Sequence, residues 1–537
     1  MFEEKLPPIL SDAKPRIFAI PLALILIIGL ILRLKSIWFG YPLITHPDEP
    51  LLINAAKNIL NTGDLNPHYF EYPSFVIYLQ TASIALITGF NYIFFNVSAT
   101  DIPSVDFYIA GRAIASIAAT LSIFITYNVG RMLFNSEVGL FASGLVAVSP
   151  IHIQNSALVT TDIWVSIFST FILLYCAKLY HKPETKYYLL AGGFAGFAAS
   201  SKYTAVVFAS AILLAHLASR GFSLRNLFDR NLFVAAASTV FTFLLTTPYA
   251  ILDAKTFLSY VEFQKMHYST GHLGAEAVGD SSYDLYAKAL VSPDGLGYIA
   301  TILAMMSIFF AFRKSYRSII FVLILPISLF LLIGNYKVFF ARNIVGAIPA
   351  LSITAAFTIY ATSQSSMYLS QNKRVTSFLY CFLFFVITTP LAIKALDDVK
   401  QKQLSDTRWI SLNWIKDNIP VGSKIAIEGY APPVTQLAPR FVVVELGIAG
   451  LVKWTEGIAE RPTKRKVDES IQYVILSSFS YDRFFDHTGS YKEMYKEEAQ
   501  IYTKYFNSHR LVYELKPQAG VSTGPVIRIY ENRETTQ

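Results

Sequence analysis

Apolar runs long enough to cross a bilayer recur along this chain, and they limit what it can fold into more than any other feature. A transmembrane helix needs about 20 predominantly apolar residues. Such runs follow one another through the first three quarters of the 537-residue sequence. Charged residues make up 15% of the chain, whereas an ordinary soluble domain carries about 25%. The sequence therefore predicts a polytopic integral membrane protein, anchored from its first apolar run onward.

The positions of basic residues predict which loops face the cytoplasm. The clearest apolar segments are 17–37, 73–95, 109–132, 139–155, 163–180, 188–200, 203–219, 232–250, 296–312, 318–334, 344–362 and 376–396. Lys and Arg gather at 181–186, 220–230, 313–317 and 371–374, which marks these loops as cytoplasmic. Alternation then places the loops 38–72 and 253–295 outside. Three apolar segments lie between the outer loop 38–72 and Asp162, which is also predicted to lie outside, but only an even number of crossings can join two outer positions. We therefore expect 73–95 not to cross the membrane fully.

Three regions follow from this pattern. Residues 1–16 are predicted to be a cytoplasmic tail, and 17–396 a membrane domain of about 11 to 12 apolar helices. Residues 397–537 mix strand-like and helix-like segments, which indicates a small soluble α/β domain outside the membrane. Its predicted strands are 423–429, 440–446, 471–477, 510–515 and 524–531, and its predicted helices are 404–420 and 490–506.

The net charge of +8 does not indicate a nucleic-acid partner. Lys and Arg gather in the predicted cytoplasmic loops, and the sequence has no basic stretch interleaved with aromatic residues. The expected partners are therefore membrane lipids and whatever molecules bind at the outer face.

Acidic residues stand at the predicted outer ends of apolar segments, where charge is costly. Asp48 and Glu49 lie in ITHPDEPLLINAAKNIL, and Asp162 starts another run. Taken alone, the first two can be acids of a solvated loop, and Asp162 can be a helix cap. A charge at bilayer depth costs about 2.5–3.5 kcal/mol, so several such groups on one side favour a shared polar cavity.

Three cations accompany these acids. Lys202 lies between two short apolar pieces, and Lys337 and Arg342 lie in NYKVFFARNIVGAIP. Each can extend its charge to the membrane surface or bind a phosphate, and an Arg side chain suits bidentate phosphate contact better than a Lys does.

A metal site is an open alternative in the outer loops. Glu71, His267 and His272 would supply its ligands, although their spacing is not a zinc signature. No cofactor is required by the sequence, and a divalent metal stays an alternative.

Taken in order, these segments resemble the GT-C superfamily of membrane glycosyltransferases. The chain is most similar to glycosyltransferase family 39, which includes the dolichyl-phosphate-mannose protein mannosyltransferases and the lipid A aminoarabinose transferase. The resemblance covers most of 17–362. It rests on the first outer loop with its acidic pair, EYPS (71–74), SPIHIQNSALVTTD (149–162), GGFAGFAASSKYT (192–204) and ARNIVGAIPAL (341–351).

The resemblance implies roles for particular residues. Asp48 would be the base toward the acceptor, with Glu49 beside it in the catalytic site. Asp162 would be the second acidic position and Lys202 a phosphate contact. Tyr72 stands where the aminoarabinose transferase has a Lys that contacts phosphate, so that contact is missing or comes from Lys337 or Arg342.

The predicted function is transfer of a sugar from a polyprenyl-phosphate donor to an acceptor hydroxyl on the outer face, with inversion. The acceptor can be a lipid, a glycan or a protein, although the outer loop 253–295 is too short for the mannosyltransferases' β-trefoil insert, which disfavours transfer to protein serine or threonine. Two alternatives remain open: a transporter or flippase for a lipid-linked or polar solute, and an oligosaccharide ligase or polymerase with a pyrophosphate-linked donor.

Overall fold

The protein is mostly helical, with one mixed sheet near its carboxyl end. The computed structural model describes residues 15–270, 281–311, 317–367, 373–446, 453–455, 458–460, 470–485 and 496–532. The α-helices are α1 Pro15–Ser36, α2 Asp48–Thr62, α3 Phe75–Phe95, α4 Ser104–Leu133, α5 Ser136–Val148, α6 Pro150–Ser156, α7 Asp162–His181, α8 Thr185–Ser201, α9 Ser210–Arg220, α10 Arg230–Thr246, α11 Tyr249–Leu252, α12 Ala254–Thr270, α13 Tyr283–Val291, α14 Tyr298–Met306, α15 Ile308–Ala311, α16 Ser318–Gly334, α17 Ile348–Met367, α18 Lys373–Lys402, α19 Thr407–Asn418, α20 Ser478–Phe485 and α21 Lys496–Ser508.

Short 3₁₀ helices and strands complete the structure. The 3₁₀ helices are Ala99–Asp101, Tyr203–Ala209, Leu224–Phe228, Ala341–Ala347 and Val434–Leu437. The strands are β1 Ser405–Asp406, β2 Lys424–Ile427, β3 Val442–Glu445, β4 Lys453–Thr455, β5 Ile458–Glu460, β6 Tyr473–Ser477, β7 Arg510–Leu515, β8 Ser522–Thr523 and β9 Ile527–Glu531.

The apolar helices confirm an integral membrane protein. Among the described residues, seven helices are long and apolar enough to cross a membrane, a bent pair would add an eighth, and three shorter apolar helices accompany them. Helix α3 is unbroken over 21 residues and is one of the seven. The expectation that 73–95 does not cross fully stays a prediction, and the length of α3 does not support it.

The bent pair is α5 and α6, which meet at 60°. Pro150 starts α6 and cannot continue the hydrogen-bond ladder of α5. The guanidinium of Arg33 donates to the carbonyl oxygens of Val146 and Ala147 at this break, at 3.0 and 3.1 Å, and is fully buried. Helix carbonyls that would otherwise lack partners thus stabilise a buried cation.

The chain divides into two compact units. The first comprises Met1–Ile37, His46–Lys265 and Ala277–Val399, and the second comprises Trp38–Thr45, Met266–Glu276 and Lys400–Gln537. In the first unit, α8 packs against α7 and α10. Gly192 and Gly196 of α8 permit the close approach, because a methyl group at either position would overlap backbone atoms of α10.

The second unit contains the predicted α/β domain. Its five-stranded sheet has the order β3-β2-β6-β9-β7, in which β2 runs parallel to β3 and β6 while β9 is antiparallel to both its neighbours. All five strands predicted from sequence occur in it. Helix α19 packs with one apolar core cluster, and α20 and α21 pack with another. The first part of the predicted helix 490–506 lies outside the described residues.

Candidate active site

Four charged residues that the sequence singled out lie at the starts of helices. Asp48 is the first residue of α2, and Asp162 is the first residue of α7. Lys202 precedes the 3₁₀ helix Tyr203–Ala209, and Arg342 lies in the first turn of the 3₁₀ helix Ala341–Ala347. Helix starts carry unpaired backbone N–H groups and a partial positive charge, which favours the two carboxylates there.

The structure brings these four side chains into one cluster, which we call the charged cluster. Lys202 Nζ lies 2.6 Å from Asp162 Oδ1, and Arg342 Nη2 lies 2.9 Å from Asp48 Oδ2. Arg342 Nε lies 3.6 Å from Asp162 Oδ2, so this guanidinium joins the two carboxylates. Asp162 and Lys202 are buried, whereas the side chains of Asp48 and Arg342 keep 17% and 22% of their exposure. The cluster therefore presents Asp48 and Arg342 to an arriving molecule, with the other two charges behind them.

Asp48 has two further neighbours. The hydroxyl of Tyr72 donates to Asp48 Oδ2 at 3.3 Å, which places Tyr72 beside the predicted base. The backbone N–H of Asp48 donates to His46 Nδ1 at 3.3 Å. Burial lowers the pKa of His46, so its ring is neutral near pH 7 and can accept this bond.

Glu49 is not part of the charged cluster. Its carboxylate accepts hydrogen bonds from Arg112 Nε and Nη2 at 2.8 and 2.6 Å, and from the backbone N–H of Val159 at 2.9 Å. Both side chains of this ion pair are fully buried. The expected catalytic role for Glu49 stays a prediction, and the bonds of its oxygens inside the protein do not support it. Its bond to Val159 instead ties the start of α2 to the segment that leads into Asp162.

The residues suggested as metal ligands do not form a site in the described part of the chain. No three His, Cys, Asp or Glu side chains there lie close enough to hold a metal ion, and His272 lies outside the described residues. Glu71 and His267 are both partly buried and belong to different compact units. Burial, together with the charge of Asp48, raises the pKa of Glu71. Lys337 is partly buried. It is not one of the four residues whose ion pairs define the charged cluster.

Sequence reasoning missed several residues around this cluster. Arg112 lies inside the apolar run 109–132, whose other charged residue, Arg131, stands at the far end, and an intramembrane charge is itself a signal for a buried partner. Asn343 and Tyr286 carried no such signal. Asn343 Oδ1 accepts from Lys202 Nζ at 2.6 Å, and Asn343 Nδ2 donates to the hydroxyl of Tyr286 at 2.7 Å. Tyr286 lies in α13, within the segment 253–295 that the sequence predicts to be an outer loop.

An apolar cavity of about 370 Å³ lies among α13, α14, α16 and α17. Its wall includes Ile344 and Ala347, which belong to the same 3₁₀ helix as Arg342. At its outer edge, Met305 and Leu331 are 68% and 55% exposed, and both belong to apolar helices. The cavity thus opens at the protein surface between apolar helices and reaches the backbone that carries Arg342.

Comparison with known proteins yields one family and a group of solved structures. Residues 103–250 match the family described as dolichyl-phosphate-mannose-protein mannosyltransferase. No curated protein sequence matches the chain. The archaeal oligosaccharyltransferase AglB from Archaeoglobus fulgidus, solved with an inhibitory peptide and a dolichol-phosphate, is similar with a TM-score of 0.60 and 13% identity over 95% of this chain and 74% of that one. ArnT from Cupriavidus metallidurans, bound to undecaprenyl phosphate, is similar with a TM-score of 0.50 and 14% identity over 96% of this chain and 98% of that one.

Proposed function

We propose that this chain, which belongs by its fold to the GT-C glycosyltransferase superfamily, moves a sugar from a polyprenyl-phosphate donor to an acceptor hydroxyl at the outer face of the membrane. The observation that carries the proposal is the charged cluster. Two carboxylates and two cations from distant parts of the chain meet in a half-buried site. A membrane protein without chemistry or binding at that point gains little from four charges held there.

The cluster supplies the groups that an inverting transfer needs. Asp48 accepts the proton of the acceptor hydroxyl while that oxygen attacks the anomeric carbon of the sugar. The bond from this carbon to the phosphate oxygen breaks, and its electron pair leaves with the polyprenyl phosphate. Lys202 and Arg342 stabilise the charge that grows on this phosphate. A positioned base typically contributes about 10²–10⁴-fold to the rate.

The apolar cavity supports a lipid-borne donor. A polyprenyl chain gains little by leaving lipid for another apolar environment, so the cavity acts by shape and places the phosphate end near Arg342. Both AglB and ArnT were solved with polyprenyl phosphates, dolichol-phosphate and undecaprenyl phosphate respectively. A donor of this class fits a site at the outer face, because nucleotide sugars do not reach that compartment.

Charge favours a monophosphate over a pyrophosphate leaving group. Each cation of the cluster already pairs with a carboxylate, so the four groups together are close to neutral. A phosphodiester brings one negative charge, whereas a pyrophosphate brings at least two and needs more compensation. The pyrophosphate-dependent ligase and the flippase remain the competing functions. Release of lipid phosphate only in the presence of an acceptor separates transfer from transport.

The test is the variant Asp48→Asn in purified full-length protein. With polyprenyl-phosphate sugars as donors, wild-type protein is expected to release polyprenyl phosphate and form a glycosylated product detected by mass spectrometry. Asp48→Asn should lose at least about 100-fold of this rate, because the amide cannot accept the proton. Asp106→Asn is the matched control, since Asp106 is an exposed carboxylate in the first turn of α4. Transfer by Asp48→Asn at a rate near that of wild type would end the proposal.

A further inference from the structure

Tyr286 is a fully buried tyrosine whose hydroxyl faces the segment that carries Arg342. This hydroxyl accepts a hydrogen bond from Asn343 Nδ2 at 2.7 Å and a longer one from the backbone N–H of Phe340 at 3.5 Å. The ring packs against Phe339, with 4.9 Å between the ring centroids. One side chain of α13 therefore holds the turn 339–343 through its ring and its hydroxyl.

Asn343 links this tyrosine to the charged cluster. Its side-chain amide has an acceptor end and a donor end. The acceptor Oδ1 lies 2.6 Å from the ammonium of Lys202, and the donor Nδ2 points at Tyr286. If the amide turned over, two donors would face each other at Lys202 and the bond would be lost. The donor-only ammonium of Lys202 thus selects Oδ1, while the hydroxyl of Tyr286 pairs with Nδ2 on the far side and holds the amide at this position.

We propose that Tyr286 is a positioning residue for the phosphate site: it orients the Asn343 amide, which in turn fixes the ammonium of Lys202 against Asp162. The inference rests on the proposed function, since it takes Lys202 as a contact of the donor phosphate. Tyr286 does not touch the phosphate itself. It acts through Asn343, so its effect disappears when Asn343 is removed.

The test compares Tyr286→Phe with wild type in the full-length protein, using undecaprenyl phosphate and dolichyl phosphate in detergent as probes. Tyr286→Phe keeps the ring and removes the hydroxyl. The dissociation constant for these lipids is expected to rise about five- to tenfold, the effect of one buried hydrogen bond. The kcat/KM for a polyprenyl-phosphate sugar should fall by at least a similar factor, with a part of the loss in kcat, because Lys202 both contacts the donor phosphate and stabilises the charge on the leaving phosphate.

Non-additivity distinguishes orientation from packing. In an Asn343→Ala background, Tyr286→Phe should change lipid binding no further, because the amide that it orients is absent. A packing role would give the same loss in both backgrounds. Tyr283→Phe is the matched control, since Tyr283 lies on the same helix and its hydroxyl donates to the carbonyl oxygen of Leu331 at 3.2 Å.

The outcomes separate the two proposals. If wild type binds undecaprenyl phosphate and Tyr286→Phe binds it equally well, the role of Tyr286 is refuted and the proposed function stands. Additive losses in the double variant refute the role as well. If wild type neither binds these lipids nor releases them from a sugar donor, the proposed function and this inference fail together.

Discussion

Replacing Arg112 by methionine is expected to lower the melting temperature sharply, because it leaves the carboxylate of Glu49 without a counter-ion in a dry interior. Both side chains are fully buried, and Arg112 donates two hydrogen bonds to this carboxylate beside the one from the N–H of Val159. Arg112 Nη1 also donates to the carbonyl oxygen of Ile37 at 2.7 Å, and that acceptor loses its partner too. Removing one member of a buried ion pair costs about 3–5 kcal/mol.

The loss translates into a measurable shift. For a large chain, about 1 kcal/mol corresponds to about 2 °C, so Arg112→Met should melt about 6–10 °C below wild type. The double variant Glu49→Gln with Arg112→Met should recover at least half of this shift. Gln is neutral and keeps an oxygen for the N–H of Val159, so the buried charge that causes the penalty is gone.

The chain offers its own reporter for this measurement. Cys176 is fully buried, so a thiol-reactive fluorescent dye reaches it only when the protein unfolds. Cys381 is exposed and would react at once, so the assay uses a Cys381→Ser background. Arg131→Met is the control on the same helix, because Arg131 is partly exposed and lies 5.8 Å from the ring of Tyr127. An Arg112→Met protein that melts within about 2 °C of wild type, or a double variant less stable than Arg112→Met, would refute the reasoning.

Two further predictions concern the donor site. Burial and the charge of Asp48 raise the pKa of Glu71. As pH rises, Glu71 therefore ionises later than an ordinary carboxyl group, and its negative charge then opposes binding of the donor phosphate. The same shift stabilises the folded state below the ordinary pKa of Glu71, and this stabilisation is lost as pH rises through the raised pKa. Glu71→Gln stays neutral, so its KM for the donor should rise less steeply with pH than that of wild type, and parallel profiles would contradict this. Ala287 is exposed at the edge of the apolar cavity. Ala287→Phe should therefore raise the KM for a long polyprenyl donor and leave the KM for a short citronellyl-phosphate donor unchanged. Equal effects on both donors would argue against the cavity as the lipid site.

Much of the helical architecture could be predicted from sequence, because apolar length is a local property. The run 318–334 coincides with α16 residue for residue. The run 139–155 is instead two helices bent at Ser149, and 203–219 begins as a 3₁₀ helix. Pro150 is a signal for the first of these breaks, whereas hydropathy reports burial but not backbone winding and leaves no signal for the 3₁₀ start.

The charged cluster could be predicted in part, for a related reason. Asp48, Asp162, Lys202 and Arg342 stood out because charge is rare next to apolar runs, and the structure brings them together. Glu49 stood out equally, and only its buried bonds to Arg112 separate it from its neighbour. Neutral polar groups such as the amide of Asn343 leave no trace in charge or hydropathy, so the layer that positions the cluster emerges only from coordinates.

Each cation of the cluster adjoins a 3₁₀ helix of seven residues, Tyr203–Ala209 or Ala341–Ala347. A 3₁₀ helix is wound more tightly than an α-helix, and its rise per residue is about 2.0 Å instead of about 1.5 Å. Rewinding either stretch into α-form would shorten it by about 3.5 Å. The positions of both positive charges thus depend on how the main chain winds beside them as well as on their side-chain rotamers.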